Sequence, residues 1–457
     1  MSGTRDRSGV LAVVLVLLAA AAVALMRPEA GSAGSSPPAT PAGPVTRTQL
    51  GCPEYSSGAG VATSVRLGLA PVAGLAGRGR VEAGGPVDLV RGRLVEVPDR
   101  GGPAVHASGP AAAGLFGFRT DHRPRRSLAV TSCARPRVRW WFSGAGAGLD
   151  HSSVLLLANL DPGPAVVDLR VLGPEGEVDT VATKGMVVAP RSERRVSLPG
   201  IAPQTDDLTL EVRAVRGRVA ASVADALREQ PDAAWGRDWL PGVDQASRAP
   251  ILVGLPATAR SRTLLVANPS DVEAVVDLAV SGRSGTFTPT GTGGISVAPG
   301  TVEAVTVARA VPAGEPVALR LRSDVPILAS VRSWQAGDHS YAGAATTLAG
   351  PAVAPLPRGV EATVHLTAGQ VAARVDVAAY DVRGEQAETT TLPVGAGATV
   401  SWSPRPRSAY LVVTPATGGG SGTVQGAVSY AGSGVAAVPL VDLPVREQRP
   451  SVLPEVR

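Results

Sequence analysis

The feature that most constrains this chain is that a long stretch of it occurs twice. Residues 154–190, VLLLANLDPGPAVVDLRVLGPEGEVDTVATKGMVVAP, and residues 263–299, TLLVANPSDVEAVVDLAVSGRSGTFTPTGTGGISVAP, align without a gap at an offset of 109, with 17 of 37 positions identical. Shared composition does not produce such a match over an ungapped stretch, so the chain carries a copied structural unit of roughly 100 residues. The match continues where Leu-Glu-Val-Arg at 210–213 meets Leu-Arg-Leu-Arg at 319–322, and where Ala221-Ser222-Val223 meets Ala329-Ser330-Val331. A fainter third copy aligns Val375-Asp376-Val377 with Val167-Asp168-Leu169 and Val276-Asp277-Leu278. A glycine follows eight residues after each aspartate, at Gly176, Gly285 and Gly384. The third copy lacks the Ala-Asn that ends the first strand of the other two.

Within a copy the period is two. In AVVDLRVL, Val167, Leu169 and Val171 fall on one face and Asp168 and Arg170 on the other, the pattern of a half-buried antiparallel strand. LDPG and PSDV supply hairpin turns, and Gly176 and Gly285 the next reversal. Six or seven such runs per copy match the size and strand number of an immunoglobulin-like or fibronectin-like sandwich. A propeller blade is less than half this length, and no segment beyond the N-terminus keeps a helical period, which argues against βαβ folds. Residues 47–137 are strand-like in VRLGLAPV, VDLVRGRLVEV and SLAVTSC but align with none of the copies. They form a fourth sandwich, a partial one, or strands that complete a neighbour.

Residues 10–26, VLAVVLVLLAAAAVALM, contain no polar side chain, follow Arg5 and Arg7, and precede Arg27. Seventeen helical residues span roughly 25 Å, the short end of what crosses a bilayer and the long end of a signal core. Both readings export the rest, and an uncleaved anchor with its N-terminus inside is the preferred one. The Pro-, Gly- and Ser-rich residues 27–46 read as a stalk. The expected organisation is therefore a cytoplasmic N-terminus (1–9), the anchor or signal segment (10–26), the stalk (27–46), an N-terminal β-rich region (47–137), three modules (138–248, 249–350, 351–445) and a tail (446–457).

Cys52 and Cys133 are the two cysteines. In an exported chain they read as one disulfide, and neither has the CxxC neighbour of a metal site. Of 43 basic residues one is lysine, Lys184, which together with abundant Ala, Val, Gly and Pro is the mark of a GC-rich genome. The basic residues are scattered among 38 acids, not gathered into a stripe, so nucleic acid is not an expected partner.

The anchor, the Cys52-Pro53 start, the Trp141-Phe142-Ser143-Gly144-Ala145-Gly146 opening of the first copy and the repeated Leu-Ala-Asn strand end together resemble a family of uncharacterised actinobacterial exported proteins. That resemblance spans most of residues 47–445 and implies no activity.

No GxSxG, HExxH, GxxxxGK[ST] or paired CxxC motif is present. Three Asp-His dipeptides, Asp121-His122, Asp150-His151 and Asp338-His339, read as solvated turn residues, because neighbours on a strand point to opposite faces and do not make a triad. Asp168, Asp277 and Asp376 lack neighbouring carboxylates and read as exposed cross-strand residues, not calcium ligands. Asn159 and Asn268 read as turn-formers that bond the backbone. No catalytic, cofactor or metal residue is assigned. Six tryptophans cluster near module junctions, where packing of the domain interfaces is the preferred reading, and Trp235 and Trp239 are the candidates for partner or glycan contact as the alternative. The expected protein is a non-catalytic cell-envelope protein, single-pass or secreted, whose array binds or scaffolds an envelope protein or polysaccharide. A carbohydrate-binding accessory to an envelope polysaccharide machine is the first alternative and a divergent secreted hydrolase the second.

Overall fold

The computed structural model describes residues 43–54, 61–98, 104–124, 126–178, 183–307, 310–312, 314–335, 337–416 and 421–447, so the residue 10–26 segment and its export reading lie outside the described residues. No helix among the described residues is long and apolar enough to cross a membrane. Gly43–Pro44 pairs antiparallel with Arg446–Glu447. Val45, placed in the stalk by composition, is instead buried in the first core, since a lone valine beside strand residues gains from leaving water.

Eight sheets among the described residues enclose four cores, each between two sheets. In the N-terminal sandwich one sheet runs Arg47–Gly51, Ala104–Ser108, Arg78–Ala83, Pro86–Val90 and the other Leu94–Val97, Ala62–Leu69, Leu115–Arg123, Ser127–Ser132. In the order the strands occur along the chain, that is 1-6-3-4 over 5-2-7-8. The third copy repeats it, with Ala352–Pro355, Tyr410–Pro415, Ala373–Tyr380, Gln386–Val394 over Thr399–Trp402, Glu361–Ala368, Val424–Ala431, Val435–Pro439. The first and second copies keep the same pairings, with the fourth strand shortened and a further short strand, Met186–Val188 or Ile295–Val297, beside the third. Residues 47–132 thus hold a complete sandwich of the same connectivity, although no residue pattern aligns it with the others.

The alternation of AVVDLRVL does what a period of two requires. Val167, Leu169 and Val171 enter the core of the first copy, while Asp168 and Arg170 stay on the outer face opposite Arg213 and Glu211. Asn159 and Asn268 are fully buried at strand ends. Each donates to the carbonyls that follow it, Gly163 and Val188 in one copy and Val272 and Val297 in the other, so buried turn backbone keeps its partners.

The last strand of each second sheet faces inward. Ser127–Ser132, Gly236–Leu240, Asp338–Gly343 and Val435–Pro439 pack each against the next, and the fourth returns to the first, so the sandwiches close a ring in chain order. The closing contact is well built: Leu128 and Val130 lie in the core of the third copy, and Phe116 and Phe118 pack with Tyr410. An edge strand exposes unpaired amides and carbonyls, and closing the ring buries four of them together. All six residues of Asp338–Gly343 are buried, because both faces and the free edge are covered.

Candidate functional site

Where the first and second sandwiches meet, Asp225 sits on the inward face of Ala220–Leu227, opposite Ser153 on one neighbouring strand and Asp238 on the other. Its Oδ1 accepts from His151 Nε2 at 2.9 Å and from the Ser153 hydroxyl. Its Oδ2 accepts from His339 Nε2 at 3.1 Å and lies 2.9 Å from the Tyr341 hydroxyl, which is also 3.0 Å from the Gly144 carbonyl oxygen. Burial alone would raise the pKa of Asp225, but the His151 charge and the bonds from both histidines hold it far below the usual carboxylate range.

His151 lies between two carboxylates, with Asp206 3.3 Å from its Nδ1. Burial would lower its pKa, yet Asp225 and Asp206 together raise it to about 9, so the ring is an imidazolium at neutral pH. A Cβ at position 146 would stand 2.0 Å from that ring, so Gly146 is the residue that admits it. Arg332 pairs with Asp207 at 2.8 Å nearby. Asp238, fully buried, accepts from the Tyr341 amide at 3.0 Å through Oδ2, and burial drives its pKa well above the usual range.

Asp338 forms the second part of the cluster. Its Oδ2 accepts from the amides of Leu128 at 3.1 Å and Val435 at 3.0 Å, and its Oδ1 from the amide of Arg237 at 3.1 Å. One side chain of the second sandwich thereby bonds the edge strands of the other three. Burial raises its pKa to about 6, against the opposing pull of His339 and the three amides. Gly236 and Gly434 make room, since a Cβ at either would fall 2.7 Å from a carboxylate oxygen of Asp338.

Ser153 and His151 both bond the same carboxylate, no Ser-to-His bond is formed, and a charged imidazole cannot take a proton. Among the described residues no group of three His, Cys, Asp or Glu is placed to hold a metal ion.

The structure corrects the reading of the Asp-His dipeptides as solvated turns. His151, Asp338 and His339 are buried on strands, and Asp121 is buried beside Arg119 at 2.7 Å, while His122 meets Ser433 of the third copy. Burial here comes from ring closure, a tertiary event to which local turn chemistry is blind. A signal was nonetheless available: Asp225 interrupts the apolar run ASVADAL, and three of the five histidines follow an aspartate. Asp168, Asp277 and Asp376 accept from Gly185, Gly294 and Thr391, one partner each, and are not gathered into a site. Trp239 packs as a junction tryptophan and is not open to a partner or glycan. It is 4% exposed and packs with Ala129, Leu156 and Ala224. Trp235 is half-buried under the Arg228 guanidinium, 4.9 Å from its ring centre. Cys52 and Cys133 are joined in a disulfide in the core of the N-terminal sandwich.

Fold and site define an all-β ring of four sandwiches with a shared polar centre built into the junctions between them. Residues 102–405 match the Family of unknown function (DUF5719), and the chain belongs to that family. No curated protein matches the sequence. A crystal structure of Streptomyces avermitilis alpha-L-rhamnosidase complexed with L-rhamnose aligns with 87% of this chain and 55% of the enzyme chain at 11% identity, with a TM-score of 0.14. A likeness that slight carries no argument about fold or activity.

Proposed function

We propose that this chain is an exported actinobacterial envelope protein that acts without catalysis, as a rigid array that binds or scaffolds other envelope components. The observation that supports this most is the use made of the buried charges. Asp225, His151, His339 and Asp338 all bond across or beside module boundaries and are closed to solvent, which holds four sandwiches in one fixed relation. A scaffold needs that rigidity, whereas a catalyst needs its charged groups open to a substrate. The disulfide and the apolar residues 10–26 support an extracytoplasmic location.

The test is protease added to intact cells carrying a tag before residue 1. The modules should be digested while the tag stays protected, and crosslinking beforehand should capture a defined envelope component. A chain recovered intact and cytoplasmic would overturn the proposal. The carbohydrate-binding alternative now rests on Trp235, whose ring remains partly open, and predicts glycan binding that Trp235→Ala removes.

A further inference from the structure

A cavity of about 130 Å³ opens where the N-terminal, first and third sandwiches meet, between the inward strands Ser127–Ser132, Gly236–Leu240 and Val435–Pro439. Val130, Phe142 and Val438 with the indoles of Trp140 and Trp239 form the apolar part of its wall, and Thr131, Ser132 and Ser222 a polar part. The small residues Ala221, Gly242 and Ala437 line it as well, and Gly242 admits the Phe142 and Trp140 rings, which a Cβ there would meet at 2.6 and 3.0 Å. Apolar cavities of this size in other proteins admit a single aromatic ring.

Arg135 and Arg137 stand at its edge, and their chemistry sets what else the space accepts. Arg137 is satisfied: it pairs with Asp244 at 3.2 Å and lies over the Trp140 ring at 4.9 Å. Arg135 is different. Its Nη2 donates to the Asp442 carbonyl oxygen at 2.9 Å, and among the described residues it has no ion-pair carboxylate. The Asp442 carboxylate itself is turned to the amides of Ala349 and Gly350. Burial, and then the charge of Arg137, lower the pKa of Arg135 against the weaker opposing pull of the Asp442 charge, yet a guanidinium remains charged throughout the physiological range. A second cavity of about 60 Å³ shares Arg135, Ser132, Cys133 and Val441, so this cation is flanked by space on two sides.

We propose that this junction cavity is a binding site for a small organic anion, an aromatic or short-chain carboxylate whose apolar body lies against the two indoles and whose carboxylate pairs with Arg135. A half-buried guanidinium with no ion-pair carboxylate among the described residues is a preorganised fork for one, and a largely apolar wall with a few placed polar or charged groups is the usual make-up of a small-molecule pocket. The site uses neither the Asp225 cluster nor Asp338, so it stands apart from the scaffolding role and can fail without it.

The test is titration of the full-length chain with benzoate and with benzyl alcohol, which share a ring and differ in charge, followed by calorimetry and by tryptophan fluorescence. Benzoate should bind about tenfold more tightly than benzyl alcohol. Arg135→Leu should abolish that preference, and Ala437→Leu, which fills the space, should weaken both ligands. Should Arg135→Leu fail to fold, phenylglyoxal labelling of the unaltered chain replaces it: benzoate should slow modification of Arg135 several-fold and leave the exposed Arg80 unchanged. Equal affinity for the two ligands, a preference that survives Arg135→Leu, or no protection of Arg135 overturns the proposal.

Discussion

The Oδ2 atom of Asp338 accepts a hydrogen bond from the backbone amide of Val435 at 3.0 Å, a bond that ties the second sandwich to the third. The same carboxylate reaches Leu128 of the N-terminal sandwich and Arg237 of the first. Edge strands are sticky because their amides lack partners. Here one acidic side chain supplies the partners for three of them, and that fixes how the ring closes.

Removing that side chain should therefore cost more than a single hydrogen bond. Asp338→Ala leaves three amides unpaired in a site closed to water, and each such group costs about 1 to 3 kcal/mol. A loss of roughly 3 to 5 kcal/mol is expected, allowing for partial relaxation. Asp338→Asn keeps one accepting oxygen and should lose about half as much. Urea unfolding midpoints measure both, and an alanine variant within about 1 kcal/mol of the parent would remove Asp338 from this role.

The cluster around His151 predicts a dependence on pH. Its pKa in the folded chain is about 9, above the 6.5 of a free imidazole. A raised pKa stabilises the fold fully below about 6.5, and the contribution fades as pH rises through about 9. At about 1.4 kcal/mol per pH unit this is on the order of 3 kcal/mol. Asp338 acts in the same direction at lower pH, its contribution complete below 3.8 and gone above about 6. Asp225 acts oppositely, stabilising above 3.8 and losing that effect as pH falls. Between about pH 6 and pH 10 stability should therefore decline, with Asp206, Asp225 and Arg332 the charged groups that set the slope at His151. His151→Gln should flatten that decline, and an unchanged slope in the variant would rule His151 out as its source.

The disulfide should form quantitatively when the protein is isolated without reductant. Cys52 and Cys133 are 81 residues apart in sequence, and a loop of that size contributes roughly 4 to 5 kcal/mol in the chain-entropy view. Alkylation without reductant followed by intact mass should find no labelled thiol. Replacing both cysteines by alanine should lower the thermal midpoint of the N-terminal sandwich first. Two labelled thiols would show that the bond does not form.

What the sequence reveals and conceals here has a physical pattern. The strands of the first two copies are readable because Val167, Leu169 and Val171 alternate with Asp168 and Arg170, and that alternation alone assigns faces. The kinship of residues 47–132 with the copies is not readable, because a shared strand order needs only alternation and turns, and many side chains satisfy both. The polar junction is the least readable part. Asp338 and His339 look like any surface pair until a neighbouring module covers them, and nothing within several residues of either records that the ring will close. Gly146, Gly236 and Gly434 carry the trace, each small because a carboxylate or an imidazole occupies the space its side chain would need.

The two tryptophans of AAWGRDWLPG should behave oppositely. Trp239 is 4% exposed and packs on Ala129 of the N-terminal sandwich as well as on Leu156 and Ala224 of its own. Trp239→Ala should cost about 3 to 5 kcal/mol, the usual loss for a buried tryptophan, and should loosen the contact with the N-terminal sandwich. Trp235 lies on the surface of the same segment with Arg228 over its ring, an arrangement worth about 0.5 to 1 kcal/mol, so Trp235→Ala should fall within that range. Chemical denaturation of the two variants side by side reads the difference, and hydrogen exchange at Ala129 reports the interface directly. Equal and small losses would mean that Trp239 does not hold the junction, and would return both rings to the role of partner contacts.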